Sequence, residues 1–292
     1  LTREVFRFDH CDDGNVRLFI GTKTNNIGYL SFKAHGKFEI PNSLYVRKER
    51  GHYYVSFCYE QGQPDRKLST NEEHLAFLQG ATREYLEEHT MGVDRGVAIP
   101  VCAGEQTYDF THSQKKNMSK ADRYIKRLQR KLARQQKGSN RRAKTKHRIA
   151  VHHAKKANIR NDFAHKTSRL LVDSSAKIIV FEALRTARMT RRPKAKQDEQ
   201  GRFISNKAKQ KAGLNKSILN VGWHVIETYT YYKAYSSSKA VFKIPAPTTS
   251  QECAKCGHTH PDNRKTQALF VCGNCGNTDN ADHNASLVIK KR

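Results

Sequence analysis

The sequence predicts an α/β fold that is preceded by a strand-rich segment and carries a zinc ribbon near its end. From residue 90 onward, β-rich runs alternate with segments whose apolar residues recur at helical spacing. Residues 1–60 contain only strand-like runs. Near the end, Cys253 and Cys256 form one Cys-x-x-Cys pair, and Cys272 and Cys275 form a second. Two such pairs separated by fifteen residues can supply the four thiolates of a tetrahedral structural zinc site.

The strand-rich start is predicted to be a partial antiparallel β-barrel. Its four β-rich runs are separated by Gly, Asn and Pro, and they cover residues 16–20, 28–32, 43–47 and 53–57. Residues 48–51 have the composition of a hairpin turn. Basic residues on the outer face would suit nucleic acid, although a solvated sheet face explains them equally well. Residues 61–89 are polar, weakly helical over 72–88, and are predicted to be a linker.

Residues 90–248 are predicted to form the main domain. It should begin with a strand over 92–101, which has Asp94 near its start, and an antiparallel strand over 106–110. A basic insert over 115–173 should hold two long helices that meet near Gly138. A strand over 177–181, ended by Glu182, a basic loop over 185–212, a helix over 213–236 and a strand over 240–244 should follow, and one face of that helix carries Leu214, Ile218, Val221, Val225 and Tyr229. The ribbon follows over 249–279, and a helix over 281–290 ends the chain. Trp223 is expected to pack in the core. This order resembles a ribonuclease H-like α/β fold.

The charge of the chain predicts a polyanionic partner. The 292 residues carry 54 Lys and Arg against 27 Asp and Glu, a net charge of +27, with a mean hydropathy of −0.81. Self-repulsion of this size opposes compaction unless a polyanion neutralises it. Nucleic acid is the favoured partner, and an anionic membrane surface is the alternative, without a lipidation motif to support it.

The basic insert concentrates this charge. Residues 115–160 contain 18 Lys and Arg against a single acid, Asp122. A charge run is usually a solvated helix face, but repulsion between neighbouring turns favours a bound phosphate backbone here. The ribbon offers two further cations, for which a solvated tip is the alternative. The candidate nucleic-acid contacts are Lys115, Lys116, Arg123, Lys126, Arg127, Arg130, Arg134, Arg141, Arg142, Arg264 and Lys265.

The cysteines and hydropathy indicate a reducing compartment. Four of seven cysteines belong to the paired motif, while Cys11, Cys58 and Cys102 are scattered, which favours a metal over disulfides. No segment approaches the ~20 apolar residues of a membrane span, and no secretory signal opens the chain. We therefore expect a cytoplasmic protein. Because the chain begins at Leu1 rather than Met, we also expect further residues to precede it.

Three acids fall where predicted elements begin or end, namely Asp94, Glu182 and Asp282. Carboxylates gathered at strand ends suit Mg²⁺, and two such ions can activate water and stabilise a leaving oxygen in phosphodiester hydrolysis. Each acid also has a structural explanation. Asp94 could occupy a turn, Glu182 could begin a helix, and Asp282 could cap the last helix.

Six segments occur in an order that resembles the transposon-encoded TnpB, or OrfB-type, family and its relatives, the miniature type V CRISPR nucleases. They cover residues 92–96, 180–184, 211–217, 249–257, 272–276 and 280–285. The resemblance runs from about Asn15 to the end of the chain. The fifth of these segments supplies Cys272 and Cys275, and the last reads Asn280-Ala-Asp282 where Asp-Ala-Asp is common in the family.

The resemblance implies a RuvC-like nuclease domain with a zinc-ribbon insert, preceded by a wedge-type barrel. It places Asp94, Glu182 and Asp282 at the three catalytic carboxylate positions, with two Mg²⁺ ions there and one structural Zn²⁺ in the ribbon. The implied partners are a guide RNA, which pairs with the target, and the target DNA that is cut. The implied location is a prokaryotic cytoplasm, in association with the nucleoid. The implied division is 1–60 for the wedge-type barrel, 61–89 for the linker, 90–248 for the RuvC-like domain, 249–279 for the ribbon and 280–292 for the last RuvC-like segment.

Two other function classes stay open. One is an RNA-guided DNA-binding repressor or RNA-binding module, which would bind nucleic acid without cutting it. The other is a DNA-transposing enzyme or a junction resolvase that acts without RNA. The three acids favour cleavage, and no tyrosine context favours a covalent intermediate. The sequence does not distinguish a monomer from a dimer.

Overall fold

The structure is a computed structural model that describes residues 1–10, 15–22, 24–34, 38–49, 52–58 and 69–292. The chain divides into two units, Leu1–Lys67 and Leu68–Arg292. The described residues of the first unit form five strands, which are β1 (Phe6–His10), β2 (Asn15–Gly21), β3 (Asn26–Lys33), β4 (Ser43–Glu49) and β5 (His52–Cys58). All four strands predicted here are therefore confirmed, and β1 was missed.

Alternating apolar residues build the first unit. Strands β1, β2 and β3 form one antiparallel sheet, and β4 and β5 form an antiparallel pair. Along β2, every second side chain is buried, and Leu18 and Ile20 meet Phe6 and Leu44 in one apolar cluster. The ladder pairs Glu49 with His52, so a hairpin forms as predicted, although its tip residues 50 and 51 lie outside the described residues. Closure into a barrel stays a prediction.

The second unit contains nine strands and eight helices among its described residues. The strands are β6 (Thr90–Asp94), β7 (Val101–Ala103), β8 (Gln106–Tyr108), β9 (Ile178–Glu182), β10 (Lys196–Gln197), β11 (Phe203–Ile204), β12 (Ala240–Ile244), β13 (Leu269–Val271) and β14 (Thr278–Asn280). The helices are α1 (Asn71–Gln79), α2 (Arg83–His89), α3 (His112–Ala133), α4 (Asn140–Asp173), α5 (Thr186–Met189), α6 (Ala208–Val221), α7 (Trp223–Ser236) and α8 (Ala281–Lys291).

A five-stranded sheet organises this unit in the order β12-β9-β6-β7-β8. Strands β12, β9 and β6 are parallel, and β7 and β8 complete the sheet antiparallel. The single strand predicted over 92–101 was wrong, because the chain turns between β6 and β7. At Gly96 an added Cβ would lie 2.6 Å from the Ile99 carbonyl oxygen, so the turn is tight. Asp94 therefore ends a strand instead of lying near the start of one.

Helices cover both faces of the sheet. On one face, Val93, Ile179 and Phe181 pack in a cluster with residues of α4 and α7, including Trp223, which is buried as predicted. On the other face, Ile178 and Val180 pack against α8 together with Leu78 of α1 and Leu86 of α2. The described part of the predicted linker, residues 69–89, thus consists largely of two helices that pack on the sheet.

The helical predictions were partly confirmed. Helices α3 and α4 form the predicted pair, and the side chains of Thr111 and Ser139 cap their N-termini. The single helix predicted over 213–236 was wrong, because Gly222 adopts a φ of +78° and separates α6 from α7. Leu214 on that predicted face is exposed.

The predicted basic loop over 185–212 holds α5, the β10–β11 hairpin and the start of α6. None of the described helices has the length and apolar character needed to cross a bilayer.

Candidate functional site

Asp94 and Glu182 end two neighbouring parallel strands. Val93 of β6 is in register with Phe181 of β9, so the next residue of each strand reaches the same carboxyl edge of the sheet. Side chains alternate between faces along a strand, and Gly92 and Val180 are themselves a register pair. The carboxylates of Asp94 and Glu182 therefore lie on the face that α8 covers.

Helix α8 approaches β6 closely enough to bring the third acid to this edge. An added Cβ on Gly92 would lie 2.1 Å from the Ser286 carbonyl oxygen and 2.5 Å from the Lys290 backbone nitrogen. Only glycine permits this contact between backbones. Asp282 lies one turn before Ser286, near the start of α8, and is 4% exposed. Its charge acts on Asp94.

The cap of α8 comes from a neighbouring residue, not from Asp282. The Asn280 side-chain oxygen accepts hydrogen bonds from the backbone N–H groups of Asp282 at 2.9 Å and His283 at 3.2 Å. Glu182 ends β9 and begins no helix, so its structural explanation fails as well. Asp94 ends β6 directly before the tight turn at Gly96, and its carboxylate accepts a hydrogen bond from the backbone N–H of Arg95, as the turn explanation predicted.

The three acids form a buried concentration of negative charge. Burial and, next, the charges of Glu182 and Asp282 raise the pKa of Asp94 to about 7, and Arg264 opposes the shift. Burial also raises the pKa of Glu182, against a hydrogen bond from Thr249 and the charge of Arg95. A set of buried carboxylates whose negative charge is only partly neutralised by the protein can bind a cation.

The three carboxylates are spaced more widely than the four ribbon sulfurs. Among the described residues, the four cysteines are the one group of His, Cys, Asp or Glu whose ligand atoms all lie within 4.8 Å of one another. The three carboxylates lie outside that limit. Two Mg²⁺ ions ~4 Å apart, with bonds of ~2.1 Å on each side, accept ligand oxygens up to about 8 Å apart. Carboxylate oxygens are ligands that Mg²⁺ accepts, and the assignment of metal ions to this site stays a proposal.

Several side chains that the sequence did not reveal hold these acids in place. The guanidinium of Arg95 donates to the Glu182 carbonyl oxygen and forms a buried ion pair with Glu227 at 2.7 Å. The hydroxyl of Thr249, which is 2% exposed, donates to the Glu182 carboxylate. Both residues lie in segments that carry the family resemblance, which was the one available signal. Their partners are distant in sequence and could not be inferred.

Arg264, a candidate phosphate contact, lies beside the carboxylate site. Its guanidinium donates to Asp282 Oδ1 at 3.0 Å and to the Gln267 carbonyl oxygen at 2.9 Å. The side chain is half-buried between the ribbon and the start of α8. The ribbon therefore contributes a cation to the carboxylate site. Lys265 is exposed.

The four ribbon cysteines converge in the geometry of a tetrahedral thiolate site. The Sγ atoms of Cys253 and Cys275 are 3.7 Å apart, and those of Cys256 and Cys272 are 3.6 Å apart. Zn–S bonds of 2.3 Å at tetrahedral angles give S···S distances of about 3.8 Å. Each Cys-x-x-Cys turn is closed by a glycine N–H, from Gly257 to the Cys253 carbonyl and from Gly276 to the Cys272 carbonyl. This donor set fits structural zinc.

Side-chain amides attach the ribbon to the last helix. Asn284 of α8 is fully buried; it donates to the Glu252 carbonyl at 2.8 Å and accepts from the Ala254 N–H at 3.0 Å. Phe270 and Ala281 pack with Cys253 and Cys272 in one buried cluster. The same helix therefore positions both the ribbon and Asp282.

The candidate phosphate contacts of the basic insert are mostly exposed along α3. Lys115 forms an ion pair with Asp109, and Arg142 donates to the carbonyls of Leu132 and Gln135 at the end of α3. These two cations have intramolecular partners. The remaining exposed candidates in this insert are Lys116, Arg123, Lys126, Arg127, Arg130, Arg134 and Arg141. Their contact with nucleic acid stays a prediction.

Two family models match the chain. OrfB_IS605, described as "Probable transposase", matches residues 56–192, and the Cas12f1-like TNB domain matches residues 223–289. The chain is 36% identical over 291 residues to InsQ of Escherichia coli (strain K12), named as a candidate RNA-guided DNA endonuclease. It is 27% identical over 266 residues to the CRISPR-associated endodeoxyribonuclease Cas12f1 of Sulfoacidibacillus thermotolerans.

These relatives are longer than the chain. The first match covers 98% of the chain and 65% of InsQ, and the second covers 87% of the chain and 54% of Cas12f1. The solved structure of the mini-RNA-guided endonuclease CRISPR-Cas_phi3 superposes with a TM-score of 0.51 at 12% identity, over 95% of the chain and 57% of that protein. This likeness shows a shared fold. By its two family models and its similarity to InsQ, the chain is similar to OrfB-type, or TnpB-type, proteins and to the Cas12f1-like proteins.

Proposed function

We propose that this chain carries the nuclease centre of an RNA-guided DNA endonuclease that hydrolyses phosphodiester bonds. The observation that carries the proposal is the grouping of Asp94, Glu182 and Asp282, buried on one face of the sheet at its carboxyl edge. The names of InsQ and Cas12f1 support the reaction class. The net charge of +27 supports nucleic-acid partners, with guide RNA and target DNA as the expected pair.

Asp94, Glu182 and Asp282 would hold two Mg²⁺ ions in this proposal. When bound, such ions supply a water activated for in-line attack and stabilise the leaving oxygen. The residues around the acids fix their positions. Thr249 and Arg95 orient Glu182, the start of α8 positions Asp282, and Arg264 donates to Asp282 Oδ1. Burial excludes bulk water and strengthens these electrostatic contacts.

The four cysteines would hold one structural Zn²⁺ ion, which keeps the ribbon folded against α8.

We further propose the division expected from the sequence. Residues 1–60 form a wedge-type barrel, 90–248 and 280–292 form a RuvC-like domain, and 249–279 form the ribbon. The sheet order, with three parallel strands beside an antiparallel pair, supports the ribonuclease H-like arrangement of the nuclease part. A cytoplasmic or nucleoid location follows from the proposed partners.

The proposal is tested with RNA that co-purifies with the full chain. Sequencing should reveal a discrete structured RNA with a variable end, and a plasmid that matches this end should be nicked or cut when Mg²⁺ is present. Asp94→Ala should abolish cutting while guide RNA binding persists. Asp173→Ala is the matched control, because Asp173 is an exposed acid paired with Arg169 on α4.

Two outcomes would replace the proposal. Tight guide-dependent DNA binding without cutting under any divalent metal would identify a repressor or an RNA-binding module. Cutting that needs no RNA would identify an unguided nuclease. Retained cutting in Asp94→Ala would show that the carboxylate assignment is wrong.

A further inference from the structure

Helix α6 carries the segment 211–217, one of the six that resemble the family, and its side chains contact a neighbouring helix end. The Lys211 ammonium donates to the Met189 carbonyl at 2.6 Å, and the Asn215 amide donates to the Thr190 carbonyl at 2.7 Å. These two carbonyls belong to the last turn of α5, where backbone acceptors lack intrahelical donors. The segment therefore holds in place the chain that leaves α5 and contains Arg192.

Other side chains of α6 join this helix to the α3–α4 pair. Lys216 of α6 pairs with Asp122 of α3 at 2.8 Å, and Lys156 of α4 pairs with the same carboxylate at 2.6 Å. Asn220 accepts a further hydrogen bond from Lys156 at 3.2 Å. Lys156 is buried, so this contact is shielded from water. One acid and one amide thus join α3, α4 and α6.

These two sets of contacts enclose a groove of about 1040 Å³ between α3, α4, α6 and the segment that follows α5. Asp122 is the one acid among the residues that line it, and two lysines already neutralise that carboxylate. The cations that face the groove without a carboxylate partner among the described residues are Lys126, Arg160, Arg192 and Lys209. We call this feature the α6 groove.

Arg160 shows that the positive charge of the α6 groove is incompletely compensated. Its guanidinium lies about half-buried, and burial lowers the pKa of Arg160, with Asp122 as the nearby opposing charge. No hydrogen bond or ion pair to Arg160 is formed by the part of the chain that the structure describes. A partly desolvated cation without a close partner favours an anionic ligand.

The α6 groove also presents apolar surface beside its cations. Leu219 is 58% exposed on α6 and lines the groove together with Pro193. A nucleic-acid strand offers the matching combination, because phosphates alternate with sugars and bases that have apolar faces. A compact inorganic anion would leave Leu219 in water.

We propose that the α6 groove binds the phosphate backbone of a nucleic-acid strand and that residues 211–217 serve to hold its walls together. This inference rests on the proposed function for the identity of the partner, but it does not depend on cleavage. Arg192 and Lys209 contact phosphates, and Leu219 packs against a sugar or base. RNA and DNA share the backbone chemistry, so the occupant is settled by separate binding assays.

The test measures how binding by the full chain depends on salt. Single-stranded RNA, single-stranded DNA and an RNA–DNA heteroduplex of one sequence are titrated without Mg²⁺ between 50 and 500 mM salt. In R192E/K209E, loss of two phosphate contacts should lower the slope of log K against log salt by about 1.4 for a single strand. That slope change corresponds to about 25-fold weaker binding at 0.1 M salt.

The matched control is K166E/R169E, which changes the net charge by the same amount on the same unit. Lys166 and Arg169 lie on α4 outside the groove, and each is exposed and already paired with an acid four residues away. The slope measured for K166E/R169E should differ from that of the parent by less than about one third of the change expected for R192E/K209E. A second pair, L219E against L214E, compares two exposed leucines of α6, of which only Leu219 lines the groove.

The outcomes separate this inference from the proposed function. A reduced slope with RNA alone, DNA alone or both supports the groove and identifies its occupant. Equal slopes for R192E/K209E and its control, with equal binding by L219E and L214E, would overturn the inference even if the parent protein cuts DNA. Failure of Asp94→Ala to stop cutting would leave the groove result standing. Thermal melts of all four variants identify any that unfold. If R192E/K209E is unfolded, the comparison of L219E with L214E tests the inference in its place.

Discussion

The two candidate metal centres of this molecule differ in how the chain builds them. The four ribbon sulfurs come from residues 253–275, and backbone turns closed by Gly257 and Gly276 bring them within 4.8 Å of one another. The three carboxylates come from Asp94, Glu182 and Asp282, which the whole sheet and α8 bring to one edge. A local site depends on its metal to stay folded. A site built by tertiary contacts exists without metal and retains unfavourable charge.

The same contrast appears in the electrostatics. Thiolates in a closed tetrahedral set are neutralised by the ion they hold, and little else in the ribbon could replace that ion. The carboxylates are opposed in part by Arg264, Arg95 and the Thr249 hydroxyl, which the fold itself supplies. Removal of metal should therefore unfold the first site and leave the second one folded but less stable. The predictions below examine this difference, beginning with the largest effect.

Loss of zinc should unfold the ribbon. Structural zinc supplies roughly 10 kcal/mol or more to domains of this kind, so Cys272→Ser should expose residues 249–279 to protease and remove one bound zinc per chain. Because Asn284 and Phe270 link the ribbon to α8, cleavage should also be lost. Zinc content by mass spectrometry and limited proteolysis measure the effect. Cys58→Ser, in the other unit, should retain the zinc, and a protected ribbon without zinc would contradict the prediction.

Removing a charge from the carboxylate site should stabilise the fold, whereas loss of zinc destabilises it. The pKa of Asp94 is about 7 in the folded chain, against 3.8 for an ordinary carboxyl group. Between pH ~4 and ~7 the folded state binds more protons than the unfolded state, so stability falls as pH rises through this window. Without Mg²⁺ at pH 8, Asp94→Asn should therefore be more stable than the parent by up to about 4 kcal/mol.

Denaturant unfolding at two pH values measures this difference. At pH 4, where Asp94 is protonated in the folded chain, the parent and Asp94→Asn should unfold alike. At pH 8, added Mg²⁺ should stabilise the parent and have little effect on the variant. A stability difference that is the same at both pH values would show that the charge of Asp94 is not its cause.

The close approach of α8 to β6 gives the next effect. Gly92→Ala places a Cβ against the backbone of Ser286 and Lys290, neither of which can move aside as a side chain could. We expect a loss of about 3 kcal/mol or more in the free energy of unfolding and a loss of cleavage, because Asp282 moves with α8. Zinc binding should persist, since the cysteines lie outside this contact.

Gly213→Ala is the matched control for that substitution. Gly213 lies within α6, and nothing stands within 4 Å of an added Cβ. Alanine there should stabilise the chain by up to about 1 kcal/mol, since glycine is unfavourable inside a helix. Equal stability of the two variants in a thermal melt would contradict the role assigned to Gly92.

Local signals in the sequence predicted the grouping of the ribbon cysteines. They also predicted the strand and the helix that carry two of the three carboxylates. Cysteine spacing predicted the ribbon ligands, and apolar runs predicted β9, β12 and α8 to within a few residues. Sequence reasoning failed where a tertiary contact decides the local structure. Strand β6 ends at Asp94 because the chain must turn at Gly96, and α6 ends at Gly222, neither of which hydropathy reveals.

The partners of the three acids were not predictable for a related reason. Thr249 is 67 residues from Glu182 and Arg264 is 18 residues from Asp282, so no periodic pattern connects them. The contact of Arg264 with Asp282 was not foreseen, and it forms because the ribbon packs on α8. The contact of Arg264 with phosphate stays a prediction.

The smallest expected effect concerns the cap of α8, which joins the two centres. Asn280→Ala removes the acceptor for the N–H groups of Asp282 and His283 and should cost about 1 kcal/mol in stability. Asn280→Asp is the matched control, because aspartate caps a helix as well as asparagine does and favours the positive end of its dipole. Thermal melts in saturating zinc measure the cap alone. If Asp282 were the true cap, Asn280→Ala would melt like the parent, and the carboxylate would have a structural role that competes with binding magnesium.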